Sequence, residues 1–557
     1  MSDVLSIIRK HALKNAFDFG KANPGSVVGK VIGEYPGSKT DMKKTMQHIT
    51  AIVSEVNKMK KEDIEKQLTQ YEFKEKPKEE KKGFAVPNAI EGAVVTRFPP
   101  EPSGHPHIGH AKAAHLDYEI AKQYQGTFIL RFDDTNPEKE SQEFVKAIKE
   151  GLEWLGISWD KESYTSDHLK EIYDSCLKLI ENKNAYVCTC KQETISMNRS
   201  EMRECDCRTL DTEKQLKHWK QMQDGRYNQG DAILRFKGDM KSLNTVMRDP
   251  TIARILTTPH YRQKTKYRVW PGYDLAVVIM DNLEGITHPA RTKEYELRDE
   301  LYYTLCDALG FKHPELIGFS RLEIKNSPIS KRLLKPLVEE GTVLGWDDPR
   351  LPTLAGLKRR GLLPEALRTF VLSFGLSKVE SEPTWDMLLS ENRKLLDQTA
   401  KHYFFVPDPV EISIGNFEGE VSYKIRGEER KTNVKDILFI PKNDFNTLKE
   451  GEIVALKDLT FAKFDGKKLV EVKQKEIPQK KIQWVSATEN LKCEVLVPKD
   501  LLDERGNYNK NSLETVTGYC EKYCENIHEG EIIQFERFGF CRLDKKEKNT
   551  LVFVFSC

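Results

Sequence analysis

The chain has 557 residues, of which 38% are hydrophobic and 31% charged, with 88 basic against 86 acidic residues. This length fits roughly three to four domains, and the apolar content is enough for several cores, which excludes a wholly disordered chain. The 33 glycines and 25 prolines exclude collagen-like and Pro/Gly-rich classes, and apolar stretches such as Leu275–Met280 are too short to span a bilayer.

The net charge indicates which binding partners are possible, and the cysteine count indicates the cellular compartment. A net charge of +2 still allows a local basic face for nucleic acid, because a large enzyme can carry one inside a neutral total. Charged residues such as Asp3 and Lys10 interrupt the N-terminal apolar pattern, so we expect no signal peptide. The 11 cysteines are then expected to stay reduced in a cytoplasmic protein, where clustered cysteines bind metal before they form disulfides.

Residues 1–73 are predicted to form a helical N-terminal appendage. Apolar residues recur at helical spacing over Val4–Leu13, and a second helical stretch follows around Met46–Met59. Lys74–Lys82 is charged, contains a proline and is nearly free of apolar side chains, which predicts a linker over residues 74–89. The alternative, a solvated helix end, would mark the same boundary.

From about residue 90 the order strand–helix–strand predicts a parallel α/β sheet. The predicted elements are a strand over Ala93–Phe98, a helix over Ala111–Gln123, a strand over Phe128–Phe132 and a helix over Glu138–Leu155. A Cys- and charge-rich insertion over residues 186–266 interrupts this alternation, which resumes with Asp274–Met280 and the strand Leu316–Leu322. The core is therefore predicted in two halves, residues 90–185 and 267–325.

A helical connecting region is predicted over residues 326–405, and an all-β region over residues 406–557. The β signals are short strands separated by turns, at Val410–Ile414, Asp436–Ile440, Ile453–Leu456, Ile532–Phe535 and Leu551–Phe555.

The densest motif is Arg97–His110 (RFPPEPSGHPHIGH), which follows a predicted strand and opens a helix. Gly104 and Gly109 let the backbone approach a ligand, and the helix start offers free N–H groups and the positive end of the dipole. His107 and His110, one turn apart, could both face an anion there. The layout is typical of a nucleotide triphosphate site; the alternative is a surface loop with incidental histidines.

A second motif, Ser327–Arg332 (SPISKR), lies far downstream after a predicted strand. Lys331 on a mobile loop could neutralise charge that develops on a polyphosphate. Taken alone this motif is a weak signal, because such triplets are common on protein surfaces.

In this order, the two motifs resemble the two signature sequences of class I aminoacyl-tRNA synthetases. Segments that resemble the glutamyl/glutaminyl subgroup are Leu130–Pro137 (LRFDDTNP), Met247–Pro250 (MRDP), Leu283–His288 (LEGITH), Gly345–Pro352 (GWDDPRLP) and Gly356–Gly361 (GLKRRG). Asn392–Asp397 and Tyr403–Pro409 resemble the archaeal and eukaryotic cytosolic glutamyl branch. The resemblance, from about residue 90 to the end, implies a Rossmann-type core with an acceptor-stem insertion, a helical N-terminal appendage and C-terminal anticodon-binding β-barrels.

The activity that this resemblance implies is ligation of glutamate to tRNA(Glu). ATP, with Mg²⁺, and glutamate would form glutamyl-adenylate, and the glutamyl group would pass to the 3′-terminal ribose of the tRNA. Charging of tRNA(Gln) with glutamate stays open. The alternatives are a glutaminyl enzyme and an inactive tRNA- or protein-binding paralogue, and the intact His107, His110 and Lys331 argue against the latter.

The resemblance also implies roles for single residues in the reaction with ATP. His107 and His110 would stabilise the pentavalent transition state at the α-phosphate, and Lys331 would act on the triphosphate. The residues placed around ATP are Glu101, Pro102, Ser103, Gly109, Ala113, Thr292, Arg321, Leu322, Ile329 and Ser330. Pro328 stands where the second signature often begins with lysine, which increases the dependence on Lys331.

The residues that the resemblance assigns to glutamate are Arg97, Asp133, Tyr273 and Arg291. Arg291 would form a charge-assisted fork with the γ-carboxylate, whereas glutaminyl enzymes have an uncharged residue there. Asp133 would bind the α-ammonium. The alternatives are a salt bridge of Arg291 to Glu294 or Glu296, a core position for Tyr273, and a helix N-cap formed by the Asp133–Asp134 pair.

A cysteine cluster in the insertion is the candidate metal site. Cys188 and Cys190 are separated from Cys205 and Cys207 by fourteen residues, and four thiolates could close a tetrahedral structural Zn²⁺ site. The alternative is four free thiols. Cys520 and Cys524 lack a second pair nearby in the sequence and are predicted to be incidental.

The segment Gly20–Gly33 resembles a helical region appended to glutaminyl and archaeal-type glutamyl enzymes and to tails of tRNA-dependent amidotransferases. Basic residues that could meet tRNA phosphates are Lys10, Lys14, Lys21 and Lys30. Docking of another protein through residues 1–82 is the alternative, and the sequence leaves both open.

Overall fold

The structure is a computed structural model that describes residues 2–19, 21–59, 61–71, 83–473 and 476–557. These residues form two compact units, one within Met1–Gly83 and one within Phe84–Cys557. The charged segment Lys74–Lys82, predicted to be a linker, lies outside the described residues. None of the helices in the described part of the chain combines the length and apolar character needed to cross a membrane.

The first unit is helical, as predicted. Its helices are α1 (Ser2–Phe19), α2 (Pro24–Glu34), α3 (Met42–Val56) and α4 (Lys61–Leu68). The helix α2 begins at Pro24 because proline suits the first turn and the Asn23 side chain accepts the Gly25 N–H at 2.8 Å. The apolar faces of the helices meet in one core, in which Val27 and Val53 are buried.

The second unit begins with an α/β core. Residues 84–89, included in the predicted linker, lie against it, since Val86 is buried and the Pro87 carbonyl oxygen lies 2.9 Å from His288 Nε2. The first elements are β1 (Val95–Phe98), α5 (Ile108–Gln123), β2 (Thr127–Phe132), α6 (Gln142–Trp154), β3 (Lys161–Tyr164) and α7 (Leu169–Glu181). The strands β1, β2 and β3 form a parallel sheet in that order, as the alternation predicted.

The insertion forms its own antiparallel sheet. Its elements are β4 (Ala185–Cys188), α8 (Gln192–Ser200), α9 (Thr212–Gln223), β5 (Ile233–Phe236), β6 (Thr251–Ile255) and β7 (Val269–Pro271). The strands pair in the order β4-β5-β6-β7, so each strand lies beside its neighbour in sequence.

The second half of the core comprises α10 (Tyr273–Leu283), β8 (Ala290–Thr292), α11 (Asp299–Leu309) and β9 (Ile317–Phe319). The parallel pair β8–β9 joins the core where the Thr287 N–H donates to the Val95 carbonyl oxygen at 3.0 Å. The apolar run Asp274–Met280 lies in the helix α10, in which the residues Leu275–Met280 are all buried.

Four helices follow: α12 (Lys331–Glu339), α13 (Leu354–Arg359), α14 (Pro364–Leu372) and α15 (Trp385–Thr399). The helices α13, α14 and α15 pack on the first half of the core, because Leu357, Leu367 and Leu388 share one buried cluster with Phe98 and Ile108. The helices α13 to α15, which follow the second motif, therefore share a hydrophobic core with β1, the strand that leads into the first motif. The buried residue of α12, Leu334, lies in a separate cluster with Leu351 and Leu501.

The C-terminal region is built of strands, as predicted. Its elements are β10 (His402–Tyr403), β11 (Phe405–Pro407), β12 (Pro409–Ile425), β13 (Glu428–Pro441), α16 (Lys442–Asn446), β14 (Ile453–Leu456), β15 (Thr460–Phe464), β16 (Leu469–Glu471), β17 (Lys481–Ile482), β18 (Val485–Ser486), β19 (Asn490–Pro498), β20 (Leu513–Glu521), β21 (Ile532–Phe535), β22 (Gly539–Glu547) and β23 (Thr550–Phe555).

These strands form two seven-stranded sheets, in the orders β10-β21-β22-β23-β19-β20-β11 and β17-β14-β15-β16-β12-β13-β18. The long hairpin β12–β13 turns at Arg426 and Gly427, whose φ angles of 47° and 88° are typical of a two-residue hairpin turn.

Candidate active site

The first motif lies where β1 leads into α5, and His107 caps that helix. His107 Nδ1 accepts the Gly109 N–H at 3.1 Å, and His110 Nδ1 accepts the His107 N–H at 3.2 Å. The two imidazole ring centres are 3.9 Å apart. The structure therefore brings the two predicted histidines together at the start of a helix.

Burial and hydrogen bonding fix the protonation of these rings. Burial lowers the pKa of His107 well below its usual value, and it lowers the pKa of His110 to about 4. Both imidazoles are neutral near pH 7, and because each Nδ1 accepts a backbone N–H, each Nε2 carries the proton. The site thus offers two neutral N–H donors at the positive end of a helix, which suits phosphate oxygens.

The second motif meets the first. Lys331 is the first residue of α12, and its ammonium group donates a hydrogen bond to the Ser103 carbonyl oxygen in the turn before His107. The Lys331 Nζ also lies 4.8 Å from the centre of the Phe144 ring. Burial lowers the pKa of Lys331. The ammonium group can exchange this hydrogen bond to a neutral carbonyl for a bond to a phosphate, because the bond it loses is weaker than the charge-assisted bond it gains.

Of the residues predicted to bind ATP, Ser103 contacts Lys331 directly. A Cβ on Gly109 would lie 3.4 Å from the Leu322 carbonyl oxygen, so α5 packs closely on the segment after β9. Arg321 Nη1 lies 3.3 Å from Glu294 Oε1. The buried members are Pro102, Leu322 and Ile329, and the partly or fully exposed members are Glu101, Ser103, Gly109, Ala113, Thr292, Arg321 and Ser330. The Ile329 side chain lies in the hydrophobic core, which leaves its backbone for any contact with a nucleotide.

Arg291 lies on β8, beside Tyr273 at the start of α10. Its Nη2 donates to Asp299 Oδ1 at 2.5 Å, and its guanidinium lies over the Tyr302 ring at 5.0 Å. Arg291 therefore does form a salt bridge within the protein, but its partner is Asp299 and not Glu294 or Glu296, the two residues suggested by the sequence. The Arg291 Nε is buried and has no hydrogen-bond partner among the described residues.

Tyr273 and Arg97 belong to the same pocket. Burial raises the pKa of Tyr273, and the positive charges of Arg97 and Arg291 oppose this rise because both groups lie close to the phenol. Tyr273 packs against Tyr295 with ring centres 4.7 Å apart. Arg97 is fully buried on β1 and donates to Asp281 Oδ1 at 3.1 Å and to the Ala290 carbonyl oxygen at 2.9 Å. These bonds occupy part of its five donors.

Asp133 follows β2, and its backbone N–H donates to the Pro100 carbonyl oxygen at 3.1 Å, which ties it to the first motif. Burial raises the pKa of Asp133 to about 6, and the Arg131 charge opposes this rise. No salt bridge to Asp133 is found within the described residues. Asp134 does not cap α6; it accepts the Ser166 N–H at 2.8 Å.

Three buried groups that sequence reasoning missed support the site. Asp281 on α10 accepts from both Arg97 and Arg131, the latter at 2.6 Å. Lys112 on α5 donates to the Ser320 carbonyl oxygen at 2.6 Å and so holds the segment that precedes Arg321. The third group, His260, is fully buried against Asp134 and Glu140. Lys112 lies two residues after the end of the first motif, which is the one sequence signal that could have suggested it.

The predicted cysteine cluster is assembled between β4 and the turn before α9. The four Sγ atoms of Cys188, Cys190, Cys205 and Cys207 lie within 4.8 Å of one another, with Cys188–Cys205 and Cys190–Cys207 both at 3.9 Å. Zn–S bonds of about 2.3 Å in a tetrahedron place sulfurs about 3.8 Å apart, so the thiols fit zinc. Among the described residues this is the one cluster of potential metal ligands found; Cys520 and Cys524 are buried in the β region.

Comparison with known proteins yields three family models. The model of "tRNA synthetases class I (E and Q), catalytic domain" matches residues 93–398, and two models of the corresponding anti-codon binding domain match residues 400–481 and 481–544.

Curated relatives match over their whole length. The Glutamate--tRNA ligase of Nitrosopumilus maritimus is 43% identical, over 97% of this chain and 98% of its own. Those of Cenarchaeum symbiosum and Pyrococcus furiosus are 39% and 38% identical, over 100% of both chains. A crystal structure of a glutamate tRNA ligase from Elizabethkingia meningosepticum covers 55% of this chain and 70% of its own at 22% identity, with a TM-score of 0.41.

Proposed function

Because the chain belongs to the class I tRNA synthetase family for glutamate and glutamine, we propose that it is a glutamate–tRNA ligase that charges tRNA(Glu) with glutamate at the expense of ATP. The observation that carries the proposal is the convergence of both motifs on one site, where Lys331 reaches the turn that leads to His107 and His110. A chain that only bound tRNA would have no need of this arrangement.

In the first step the glutamate α-carboxylate attacks the α-phosphorus of ATP and pyrophosphate leaves. The reaction needs alignment and charge stabilisation more than covalent help from the protein. We assign the Nε2–H donors of His107 and His110 to the α-phosphate oxygens, and the Lys331 ammonium to the leaving phosphates. Mg²⁺ enters with the ATP phosphates as part of the substrate and offsets their charge.

Glutamate is held at both ends in this proposal. Asp133, which is partly exposed and has no salt bridge among the described residues, takes the α-ammonium. Arg291, which lies with Arg97 close to the Tyr273 phenol, takes the γ-carboxylate. Glutamine would place a neutral amide against a buried guanidinium, and a mismatch of this kind costs roughly 2–5 kcal/mol.

In the second step the glutamyl group passes to the 3′-terminal ribose of tRNA. We assign the insertion to the acceptor end and the two C-terminal sheets to the anticodon. The anti-codon binding domain models that match residues 400–481 and 481–544 support the second assignment. The cysteine cluster would hold one structural Zn²⁺ that fixes the insertion. The proposal includes a reducing, cytoplasmic compartment, which the 11 free thiols support.

The N-terminal unit is proposed to add to tRNA binding, with protein docking as the second candidate. Lys21, between α1 and α2, and Lys30, in α2, could contact tRNA phosphates.

The decisive experiment measures aminoacylation of purified tRNA(Glu) and tRNA(Gln) with glutamate and with glutamine, together with pyrophosphate exchange in the presence and absence of tRNA. We expect glutamate on tRNA(Glu), no charging with glutamine, and exchange that depends on tRNA. Charging with glutamine would identify a glutaminyl enzyme, and absence of both reactions would identify an inactive paralogue. Glutamylation of tRNA(Gln) in the same assay decides whether the enzyme is discriminating.

A further inference from the structure

The backbone around His107 is held by a segment to which no role has been assigned so far. The Ile108 N–H donates to the Pro352 carbonyl oxygen at 2.9 Å, and the Leu354 N–H donates to the Pro106 carbonyl oxygen at 2.8 Å. His107 and Thr353 face each other across this pair of bonds as an isolated β-bridge. The position of His107 therefore depends on the position of the segment that opens α13.

The N-terminal end of α13 is tightly packed against α6 and against the loop that precedes α13. Thr353 caps the helix, and its hydroxyl donates to the Trp346 carbonyl oxygen at 2.6 Å. A Cβ on Gly356 would lie 2.5 Å from the Asp348 carbonyl oxygen, and a Cβ on Gly151 of α6 would lie 2.8 Å from Leu354 Cδ1. Close-packed elements transmit a displacement to their neighbours instead of absorbing it.

The C-terminal end of α13 is bound to the β region. Arg359, its last residue, forms a fork with Asp544 on β22, with Nε–Oδ1 at 3.0 Å and Nη2–Oδ2 at 2.7 Å. The following Gly361 carbonyl oxygen accepts the Ser556 hydroxyl at 2.8 Å. Arg542 also donates to Asp544 at 3.2 Å, so the carboxylate is fixed from both sides.

Open space surrounds this ion pair. Arg359 and Asp544 line a cavity of about 570 Å³ together with His105, Pro106, Leu354 and Arg542. At this point the β region faces the residues before His107 across a cleft, and the charged pair crosses from one side to the other. Apolar packing also joins the two sides, because Leu357 of α13 and Phe540 of β22 share a buried cluster, and the ion pair adds a polar link at the cleft.

From this geometry we propose that Arg359 and Asp544 are positioning residues for the reaction. Their ion pair fixes α13 on the β region, and α13 in turn fixes the backbone of His107, so the C-terminal β region sets the rate at which glutamyl-adenylate forms. The proposal rests on the proposed function for its effect on rate. Misplacement of a catalytic group by a fraction of an ångström is enough to lower a rate by an order of magnitude or more.

The test uses the full-length chain and the variants Arg359→Met, Asp544→Asn and the reversed pair Arg359→Asp with Asp544→Arg. Methionine keeps most of the apolar stem of arginine and removes the fork. We expect kcat for tRNA(Glu) charging to fall about tenfold in each single variant, with KM for ATP, glutamate and tRNA and the melting temperature near wild type. The reversed pair should recover part of kcat.

The matched control is Asp444→Asn, which breaks another aspartate–arginine fork in the β region, with Arg537 at 2.6 and 3.0 Å. No bond of that pair in the described residues leads to α13, so kcat should stay near wild type. A second measurement needs no activity. Amide hydrogen exchange at Ile108 and Leu354 should become about tenfold faster in Arg359→Met and stay unchanged in Asp444→Asn.

Several results would overturn the proposal. A higher KM for tRNA with unchanged kcat would make Arg359 a phosphate contact, and a loss of kcat that follows the loss of melting temperature would make the pair only structural. Unchanged exchange at Ile108 would show that packing alone holds α13. If the wild-type chain charges no tRNA, the proposed function is contradicted, while the exchange measurement still decides the role of the pair.

Discussion

Arg291 and Asp133 are charges of opposite sign in the proposed glutamate site; Arg291 is buried and Asp133 is partly exposed. Arg291 is bonded to Asp299 through one Nη only, and Asp133 has a pKa raised by burial to about 6. An uncompensated buried charge is costly unless a ligand completes it. In the proposed binding mode, glutamate satisfies both charges at once, because it has a carboxylate at each end of its chain and one ammonium.

The first prediction concerns Arg291. The variant Arg291→Cys should raise KM for glutamate more than tenfold, because a lost charge-assisted pair costs about 1.5–3 kcal/mol. Steady-state aminoacylation kinetics at saturating ATP and tRNA measure the effect. Arg368→Gln, which breaks an exposed pair with Glu119, serves as the control and should leave KM unchanged. Unchanged glutamate kinetics in Arg291→Cys would contradict its role as a ligand.

The second prediction concerns Lys331. The variant Lys331→Ala should lower kcat and kcat/KM for adenylate formation together while tRNA affinity is retained, because a lysine that acts on the transition state contributes little to ground-state binding. Pyrophosphate exchange and a tRNA binding titration measure the two quantities. Lys335→Ala, on the same helix and paired with exposed Glu339, is the matched control. A normal exchange rate in Lys331→Ala would make the second motif a surface loop.

At the scale of single residues, the sequence predicts the motif residues but not the buried residues that hold them in position. His107 and His110 are one helical turn apart, so local spacing alone places them together. Arg97 and Asp281 are separated by 184 positions, and no local pattern reveals that they pair. Buried partners such as Lys112 and His260 are missed for the same reason, because their roles follow from tertiary contacts.

At the scale of elements, the insertion places four thiols on two turns that the chain brings together. Cys188 ends β4, and Cys205 immediately precedes a short 3₁₀ turn over Asp206–Thr209. Tyr186 and Arg235 approach Cys205 Sγ at 3.8 and 4.0 Å, so polar groups already surround the sulfurs. Such outer contacts are typical of metal sites, where they orient the ligands.

The third prediction is that the purified protein contains about one zinc per chain, and that Cys190→Ser loses it. Metal analysis by mass spectrometry measures the content. Lys191→Ala, the exposed neighbour in the same turn, should keep the metal. A Cys190→Ser protein with full zinc content would contradict the proposed ligand set, and a wild-type protein without zinc would leave four free thiols.

Elements with a strict pattern are predicted well, and buried apolar runs are not. The strands Ile453–Leu456 and Ile532–Phe535 have the predicted bounds, since turns limit them on both sides. The run Asp274–Met280 does not indicate whether it forms a helix or a strand, because a buried helix and a buried strand can both have a continuous apolar sequence. Its helix α10 begins at Tyr273 after the strand β7, and only tertiary burial on all sides explains its composition.

At the scale of the whole molecule, strand order is the feature that the sequence could not predict. The sheet β10-β21-β22-β23-β19-β20-β11 places β10 and β11 at its two edges, although they are adjacent in the chain. The β signals predict strands and not their partners, because pairing depends on non-local contacts. By contrast, the parallel sheet β1-β2-β3 follows from alternation, since a helix between two strands favours a right-handed parallel connection.

The fourth prediction concerns the N-terminal unit, which the chain forms as a compact body of its own within Met1–Gly83. Its core of four helices is complete without residues of the second unit, so deletion of residues 1–82 should leave the second unit folded. ATP and glutamate binding should be intact, whereas tRNA binding should weaken and its salt dependence should flatten.

The reason for the changed salt dependence is counterion release, in which each lysine–phosphate contact contributes to the slope of log K against log salt. Titrations of tRNA(Glu) at several salt concentrations with the full-length and truncated proteins measure it. A Lys21→Gln, Lys30→Gln variant of the full chain is the intermediate case, since it removes two charges and keeps the helices. If truncation changes neither affinity nor slope, the unit does not bind tRNA, and docking of another protein becomes its proposed role.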